Sequence, residues 1–552
     1  MAARGRRAAA LLVSVATAVG VWSASACSSA EDAQIDYAVD GALISYNTTS
    51  VAGAASAGPQ AFARTLTGFG YHGPDGQVVA DRDFGSVAVV GRAPLVLDYQ
   101  IADAAVYSDG APITCDDLVL AWAAQSGRFP GFDAASRAGY LDIERIECQP
   151  GARRARVSFF EGRNIVGYEE LFTATSMLPS HVLGAKLGLN TTEALLGDPG
   201  QTGPAVERIA QTWNTLWRLN HGVDLRYFPS SGPYKIDSVL DGGAVVLVAN
   251  DRWWGAKPAS QRITVWPQGA DIADRVSKRV VEVVDVATGS AGSLITPDGY
   301  QGSDTPSGGI EQLIFAPTGP LSETPARRAL ALCTPRDVIA RDAGVPVVNS
   351  RLNTAMDDAF DEAENVPEAD QFMHADPVAA RDALGGKPLT VRIGYRAPNT
   401  RLAAVVGAIT ASCEPAGITV TEVASDGIGP QALREGQLDV LLASTGGATG
   451  SGSSGSSAVD AYELFGGNGN NLSGYHNDQI DGIVSALAVT ADPAEMVRLL
   501  REGAPVLWAD MPTLPLYRQQ RTLLASKKTY GVAANPTRWG AGWNMDRWAL
   551  QQ

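Results

Sequence analysis

Residues 107–122, YSDGAPITCDDLVLAW, commit the chain to a specific local structure. The run just before them, PLVLDYQI (94–101), reads as a strand. Ser108, Asp109, Gly110 and Pro112 carry the chemistry of a turn. Thr114 stands where a helix N-cap belongs. Asp116 and Asp117 follow in the first turn, where carboxylates meet the positive end of the helix dipole. Leu118, Val119, Ala121 and Trp122 give that helix an apolar side. A strand, a turn and a capped helix follow, in a chain whose 552 residues suffice for two or more lobes with cores of their own.

The second half sets the fold class. LTVRIGYRA (389–397) puts Leu389, Val391, Ile393 and Tyr395 on one face, so it predicts a strand with one side buried. A helix over 402–413 follows, then strands at AGITVTEV and LDVLLAST (438–445). This β-α-β rhythm predicts an α/β fold with a mainly parallel sheet. In the first half, Ala42–Thr49 reads as the first strand. LDIERIECQ and ARVSFF (155–160) read as a hairpin around Gly151. Residues 493–517 read as an amphipathic helix ended by Pro512 and followed by a strand. Residues 445–458, TGGATGSGSSGSSA, are the low-complexity segment; its amides and hydroxyls suit a neutral polyhydroxylated or backbone-rich ligand.

The N-terminus has the form of an export signal. Arg4, Arg6 and Arg7 precede an apolar run over 8–21, too short to span a bilayer comfortably. No later segment has ~20 consecutive apolar residues. A net charge of −16 argues against nucleic acid and against a broad electrostatic grip on anionic lipid. The chain has no G-x-S-x-G elbow, no H-E-x-x-H and no G-x-x-x-x-G-K-[ST], so no catalytic residue, metal or cofactor is expected and the chain reads as a non-enzyme. His181 lacks partners at metal spacing and reads as a packed residue. The pair Trp253-Trp254 reads as packing beside Gly255 rather than as a stacking platform.

As strings, these segments resemble a known family. Residues 107–122 are similar to the "W-S-D-G-x-P-V-T-A-D-D-V" signature of the family 5 solute-binding proteins, the extracytoplasmic receptors of peptide and nickel ABC importers. Tyr107 and Cys115 are the departures. Ser231, Gly232, Pro233, Tyr234, Asn250, Trp254, Gly255, Lys257 and Pro258 match "SGPY…N-x-x-Y-W-G-x-K-P". Asn471, Tyr475, Asn477 and Asp481 match "N-x-x-x-Y-x-N-x-x-x-D-x-l". Ala24-Ser25-Ala26-Cys27 resembles a bacterial lipobox, which implies lipidation at Cys27 and anchoring at the outer face of the cell membrane.

The resemblance implies the two-lobe periplasmic-binding-protein fold of type II, in its large peptide-binding cluster, with a hinge and an interlobe cleft. Its expected organisation is a signal peptide over 1–26 and a lipid-anchored tether over 27–40. Lobe I then spans 41–290, with an extra subdomain over about 65–185. Lobe II spans 291–515, and 516–552 return to lobe I. The expected partners are an importer's permease and ATPase and a solute, most simply an oligopeptide. The receptor is expected to be a monomer that meets the membrane through its lipid alone and binds no nucleic acid. A lipoprotein of the same fold acting in envelope glycolipid assembly, or binding a non-peptide ligand, is the alternative.

Tyr46, Asn47 and Thr48 follow the expected first strand, a segment that lines the cleft in the family. Ser444, Thr445 and Gly446 stand where peptide-binding members carry the acid that meets the terminal ammonium. Tyr475 and Trp543 complete the candidate set. With Cys27 assigned to lipid, Cys115, Cys148, Cys333 and Cys413 allow three disulfide connectivities or four free thiols. Pairs Cys115–Cys148 and Cys333–Cys413 are expected, because each stays within one half of the chain.

Overall fold

The computed structural model describes residues 34–551 except 198–202, 270, 293, 353–363, 449 and 451. Cys27 and the signal segment lie outside the described residues.

The first described residues enter the core. β1 is Gln34–Val39. Ile35, Tyr37 and Val39 are fully buried, so residues expected in a polar tether form a central strand instead. The expected strand at Ala42–Thr49 is irregular. Short polar side chains there bond the backbone and hold turns rather than a ladder. Asn47 Oδ1 accepts from the backbone N–H of Thr49 (3.2 Å) and Ser50 (3.2 Å), and Ser50 caps the helical turn Val51–Ala54.

A subdomain follows. The hairpin β2 (Gly70–His72) and β3 (Val78–Ala80) precedes a four-stranded antiparallel sheet. That sheet comprises β4 (Gly85–Arg92), β5 (Leu95–Ile101), β6 (Ile143–Glu147) and β7 (Arg154–Phe159), in the order β4-β5-β7-β6. Beside it lies the capped helix Cys115–Gln125. Asp117 is 1% exposed and serves two helix starts. Its carboxylate accepts from Thr114 N (3.1 Å) in its own helix and from Ser180 N (2.8 Å) and Ser180 Oγ (2.7 Å) at the start of Ser180–Leu187.

Ten strands form the main sheet. The first half adds β8 (Tyr234–Val239), β9 (Val245–Ala249), β10 (Arg262–Trp266) and β11 (Val283–Ala287). The second half adds β12 (Tyr300–Phe315), β13 (Leu389–Arg396), β14 (Ile418–Ser425), β15 (Val440–Ser444) and β16 (Thr513–Ser526). The order is β14-β13-β15-β12-β16-β11-β1-β10-β9-β8. β13 runs parallel to β14 and β15, as the β-α-β rhythm requires. The sheet as a whole is mixed, because β12 and β16 pair antiparallel with each other and with β15 and β11. These two long strands carry the chain between the halves. One apolar cluster fills the first half and continues into the helices Asp478–Leu487 and Pro493–Asp510; a second fills the other half.

Each half holds one disulfide. Cys115–Cys148 joins the helix Cys115–Gln125 to the residue after β6, with Cα atoms 5.8 Å apart. Cys333–Cys413 joins the C-termini of the helices Thr324–Cys333 and Thr400–Cys413, with Cα atoms 4.9 Å apart. Cys115 thus replaces a small residue of the signature with a crosslink. Replacing Cys115 and Cys148 together by Ser is expected to lower stability by about 2–5 kcal/mol, read from urea denaturation against the parent chain.

Candidate functional site

Strand alternation decides which hinge residues face which side. On β16, Arg521 points one way and Thr522 the other. Arg521 Nε donates to Asp285 Oδ1 (2.8 Å) and Arg521 Nη2 to the Asp285 carbonyl (2.8 Å). The other Asp285 oxygen accepts from Ala541 N (2.7 Å) and Gln60 Nε2 (3.1 Å). Asp40, at the end of β1, accepts from Ala287 N at 2.6 Å. One buried network therefore ties β1, β11, β16 and the C-terminal segment together. On the opposite face Thr522 and Leu524 line a groove of ≈ 590 Å³, whose guanidinium, Arg401, is already committed to Glu311 and the Tyr517 hydroxyl.

On the Arg521 side, the low-complexity segment crosses from the second half to the first as a strap. Arg538 N donates to Ser453 O at 2.9 Å. Gly455 packs on Gly76 of the β2–β3 hairpin: a Cβ at Gly455 would lie 2.8 Å from Gly76 O and 2.7 Å from Thr537 Cγ2. A Cβ at Gly452 would collide with Thr445 O at 2.0 Å. Asp460 pins the strap, accepting from Ser453 Oγ (2.6 Å) and Ser454 N (2.8 Å). Gly450, Gly452 and Gly455 spell G-x-G-x-x-G, but the helix that follows, Ser457–Ala461, is five residues long; Gly452 and Gly455 serve backbone contacts, and Gly450 lies against the side chains of Arg521 and Asp40.

Under the strap lies a cavity of ≈ 80 Å³ lined from both halves. Thr48, Gln125, Glu170 and Thr175 face it from the first half, Ser454 and Val459 from the strap and the short helix after it, and Arg538 and Trp539 from the C-terminal segment. Its wall is strained at the β-branched Thr175, whose φ is 70°, and Phe172 just before the lining residue Thr173 holds a φ of 54°, a region such residues avoid. A groove of ≈ 570 Å³ adjoins it and shares Glu170; Phe69, Val78, Val87, Leu171 and Ser456 line that groove.

Two titratable groups in this wall, Glu170 and Arg538, make no direct ion pair with each other, although each feels the other's charge and Arg538 also that of Asp460. The Glu170 carboxylate is 3.5 Å from His72 Nε2 and is pushed up to about 8 by burial, with Asp460 adding to the rise. His72 stacks on Trp539 with centroids 3.8 Å apart and contacts Gly76 O through Nδ1 at 3.1 Å. Burial pulls the imidazole down to about 4, so it is neutral. The Arg538 guanidinium lies over the Trp539 ring at 5.2 Å, and its buried Nε has no hydrogen-bond partner. No ion pair joins Glu170 to Arg538, although both face one cavity.

Of the sequence candidates, Thr48 lines this cavity, its Oγ1 donating to Thr175 O at 3.4 Å. The others serve packing or turns. Tyr46 is fully buried between Phe62 and Phe228, its hydroxyl 2.9 Å from Ser230 Oγ. Asn47 is used up by its turn and by donating to Trp213 O at 3.3 Å. Ser444, Thr445 and Gly446 form the buried foot of the strap, and Gly446 takes a φ of 71°. Tyr475 donates to Asp510 Oδ2 at 2.6 Å and fastens a loop to the end of a long helix. Trp543 donates to Ala533 O at 3.1 Å and packs behind Trp539. His181 pairs with Asp109 at 2.9 Å, and Trp254 Nε1 donates to Asp83 O at 2.8 Å, so both have structural partners. Glu170, Arg538 and His72 went unnoticed in the sequence because no local pattern sets them apart.

Among the described residues no group of three or more His, Cys, Asp or Glu side chains could hold a metal, and no helix is long and apolar enough to cross a membrane. Two α/β halves, two connecting strands and a polar cavity between the halves define the class of two-lobe solute receptors. The chain belongs to the bacterial extracellular solute-binding proteins, family 5; the model for that family's middle region matches residues 208–462. A lipoprotein of Mycobacterium tuberculosis, Rv2585c, is 68% identical over 543 residues, 98% of this chain and 97% of its own. The oligopeptide-binding protein OppA of the same species is 26% identical over 482 residues, 82% of this chain and 74% of its own. The oligopeptide-binding protein AppA of Bacillus subtilis, solved with a nonapeptide, shares the fold at a TM-score of 0.74 and 14% identity, covering 94% of this chain and 99% of its own.

A second acid beside the strap supplies a pH test. Glu463 accepts from Gln312 Nε2 at 2.7 Å, and burial pushes it up to about 8, with Asp460 adding. An unfolded Glu loses its proton near its ordinary 4.5, while the folded one keeps it to about 8. Stability therefore falls as pH rises through that window and levels off above it. Glu463→Gln keeps an acceptor and removes the ionisation. Its melting temperature is expected to exceed the parent's at pH 8 and to decline less between pH 5 and pH 8, read by calorimetry.

Proposed function

We propose that the chain is the substrate receptor of an ABC importer, closing two lobes over an oligopeptide and delivering it to the permease and its ATPase. The observation that carries this reading is the cavity lined from both halves, beside strands that connect them. A solute bound there touches both lobes, so it stabilises the closed arrangement over any open one. The likeness to OppA and AppA favours a peptide. In this reading 41–290 with the subdomain over about 65–185 act as lobe I and 291–515 as lobe II, while 516–552 return to lobe I. The receptor works as a monomer, and its catalytic needs are met by the ATPase.

The test is a thermal-shift screen with di- to octapeptides. A ligand at a hundred times its Kd stabilises by about 2.7 kcal/mol, which a chain of this size shows as a rise of a few degrees. Peptides that leave the melting temperature unchanged while a glycolipid or sugar raises it would overturn the peptide assignment.

The reading also includes a lipid anchor at Cys27 on the outer face of the cell membrane, in keeping with the lipoprotein relative. Cys27→Ala is expected to move the protein from the membrane fraction to the soluble fraction in cell fractionation; unchanged retention would refute the anchor.

A further inference from the structure

The groove behind the hinge is larger than the space under the strap, ≈ 590 Å³ against ≈ 80 Å³, and lies on the other face of β16 from Arg521. A volume of this order holds a drug-sized molecule. Leu294, Ile339, Ala343, Ala404, Val405 and Leu524 give it an apolar lining. Its charges are not balanced. Arg401 is held by Glu311 and the Tyr517 hydroxyl, so this cation is already matched. Asp342 has Arg341 at 3.1 Å. Asp304 of β12 lines the groove with no ion pair among the described residues. Its Oδ1 accepts from Thr522 Oγ1 at 2.6 Å. Thr522 has then spent its proton, so Thr288 Oγ1, 2.9 Å from Thr522 Oγ1, is the donor in that contact. What this chain of hydroxyls leaves for the groove is acceptors: the second Asp304 oxygen and the free lone pairs of Thr288. Such an end calls for a donor that carries positive charge.

We propose that this groove is a second binding site, for a hydrophobic amine whose ammonium sits on Asp304 and Thr288 and whose apolar body lies between Leu294 and the helices Arg336–Asp342 and Thr400–Cys413. The site is separate from the cavity under the strap and does not depend on the receptor reading. Asp304 is open to solvent, so the ammonium contributes orientation and a modest share of the affinity, and the apolar surface that the body covers contributes the rest. Thr288 and Leu294 follow the last strand that the first half adds to the main sheet, while both helices belong to the second half. An occupant therefore touches both halves and favours the angle between them that fits it.

The test titrates the full-length protein, in an uncharged detergent, with adamantylamine, adamantanol and adamantanecarboxylate, three probes with one apolar body and different heads. The same titrations are run on Asp304→Asn, which keeps an acceptor for Thr522, and on Ala404→Trp, which fills the groove from an exposed helix position. Hydrogen exchange with and without the amine locates it on the chain. The amine is expected to bind about threefold to tenfold more tightly than the alcohol, and the carboxylate most weakly. Asp304→Asn should bring amine and alcohol level, and Ala404→Trp should weaken all three by about tenfold or more. Protection from exchange should fall on 288–292, 300–304 and 400–408. Carboxylate binding as tight as that of the amine, or an amine preference that persists in Asp304→Asn, would overturn the proposal. Protection confined to 168–176 and 453–460, or amine binding that Ala404→Trp leaves unchanged, would put the amine elsewhere and overturn it too, as would no binding by any of the three. None of these outcomes touches the receptor reading, which the peptide screen tests. Should Ala404→Trp fail to fold, the exchange pattern and Asp304→Asn decide the outcome.

Discussion

A guanidinium on one hinge strand and a carboxylate on its neighbour hold the middle of this molecule together. Arg521 and Asp285 are each almost wholly buried, and β16, β11, the end of β1 and the C-terminal segment each send a group to this pair. Losing one partner of such a pair leaves an uncompensated buried charge, worth about 3–5 kcal/mol. The same contact sets the geometry of function. By fixing β11 against β16 it sets where the first half ends, and through Ala541 it draws the C-terminal segment, with Arg538 and Trp539, up to the cavity wall.

Much of the fold was legible in the sequence, because the motifs that carry the resemblance are fold-building motifs. Asn250 donates to Gly232 O at 2.9 Å, and Tyr234 donates to Ser260 O at 2.9 Å. A Cβ at Gly232 would lie 2.4 Å from Arg64 O. Each of these residues has a local task that demands its type. The mixed character of the sheet was not legible, since antiparallel pairing of β12 with β16 joins segments far apart in the chain. β1 was missed because a short alternating run beside a signal segment looks like a tether until its partners β10 and β11 are known.

The site was far less legible. Glu170 sits in a helical turn of three residues, and Arg538 follows a proline and a threonine in a loop. Neither belongs to a periodic pattern. The Gly/Ser strap has a composition that reads as looseness. In the fold that composition is a packing requirement, since the strap meets backbone at Gly76 and at Thr445 where side chains have no room. Low complexity here marks close approach and not disorder.

Both disulfides lie within a single half, one in the subdomain and one between helices of the second half. Oxidation of these cysteines therefore hardens each body without stitching one to the other. Among the described residues the covalent link between the halves is the polypeptide itself, joined by non-covalent contacts such as the Arg434–Asp133 ion pair at 2.8 Å. The crosslinks among the described residues thus stiffen each half from within and leave the seam between the halves without a covalent staple.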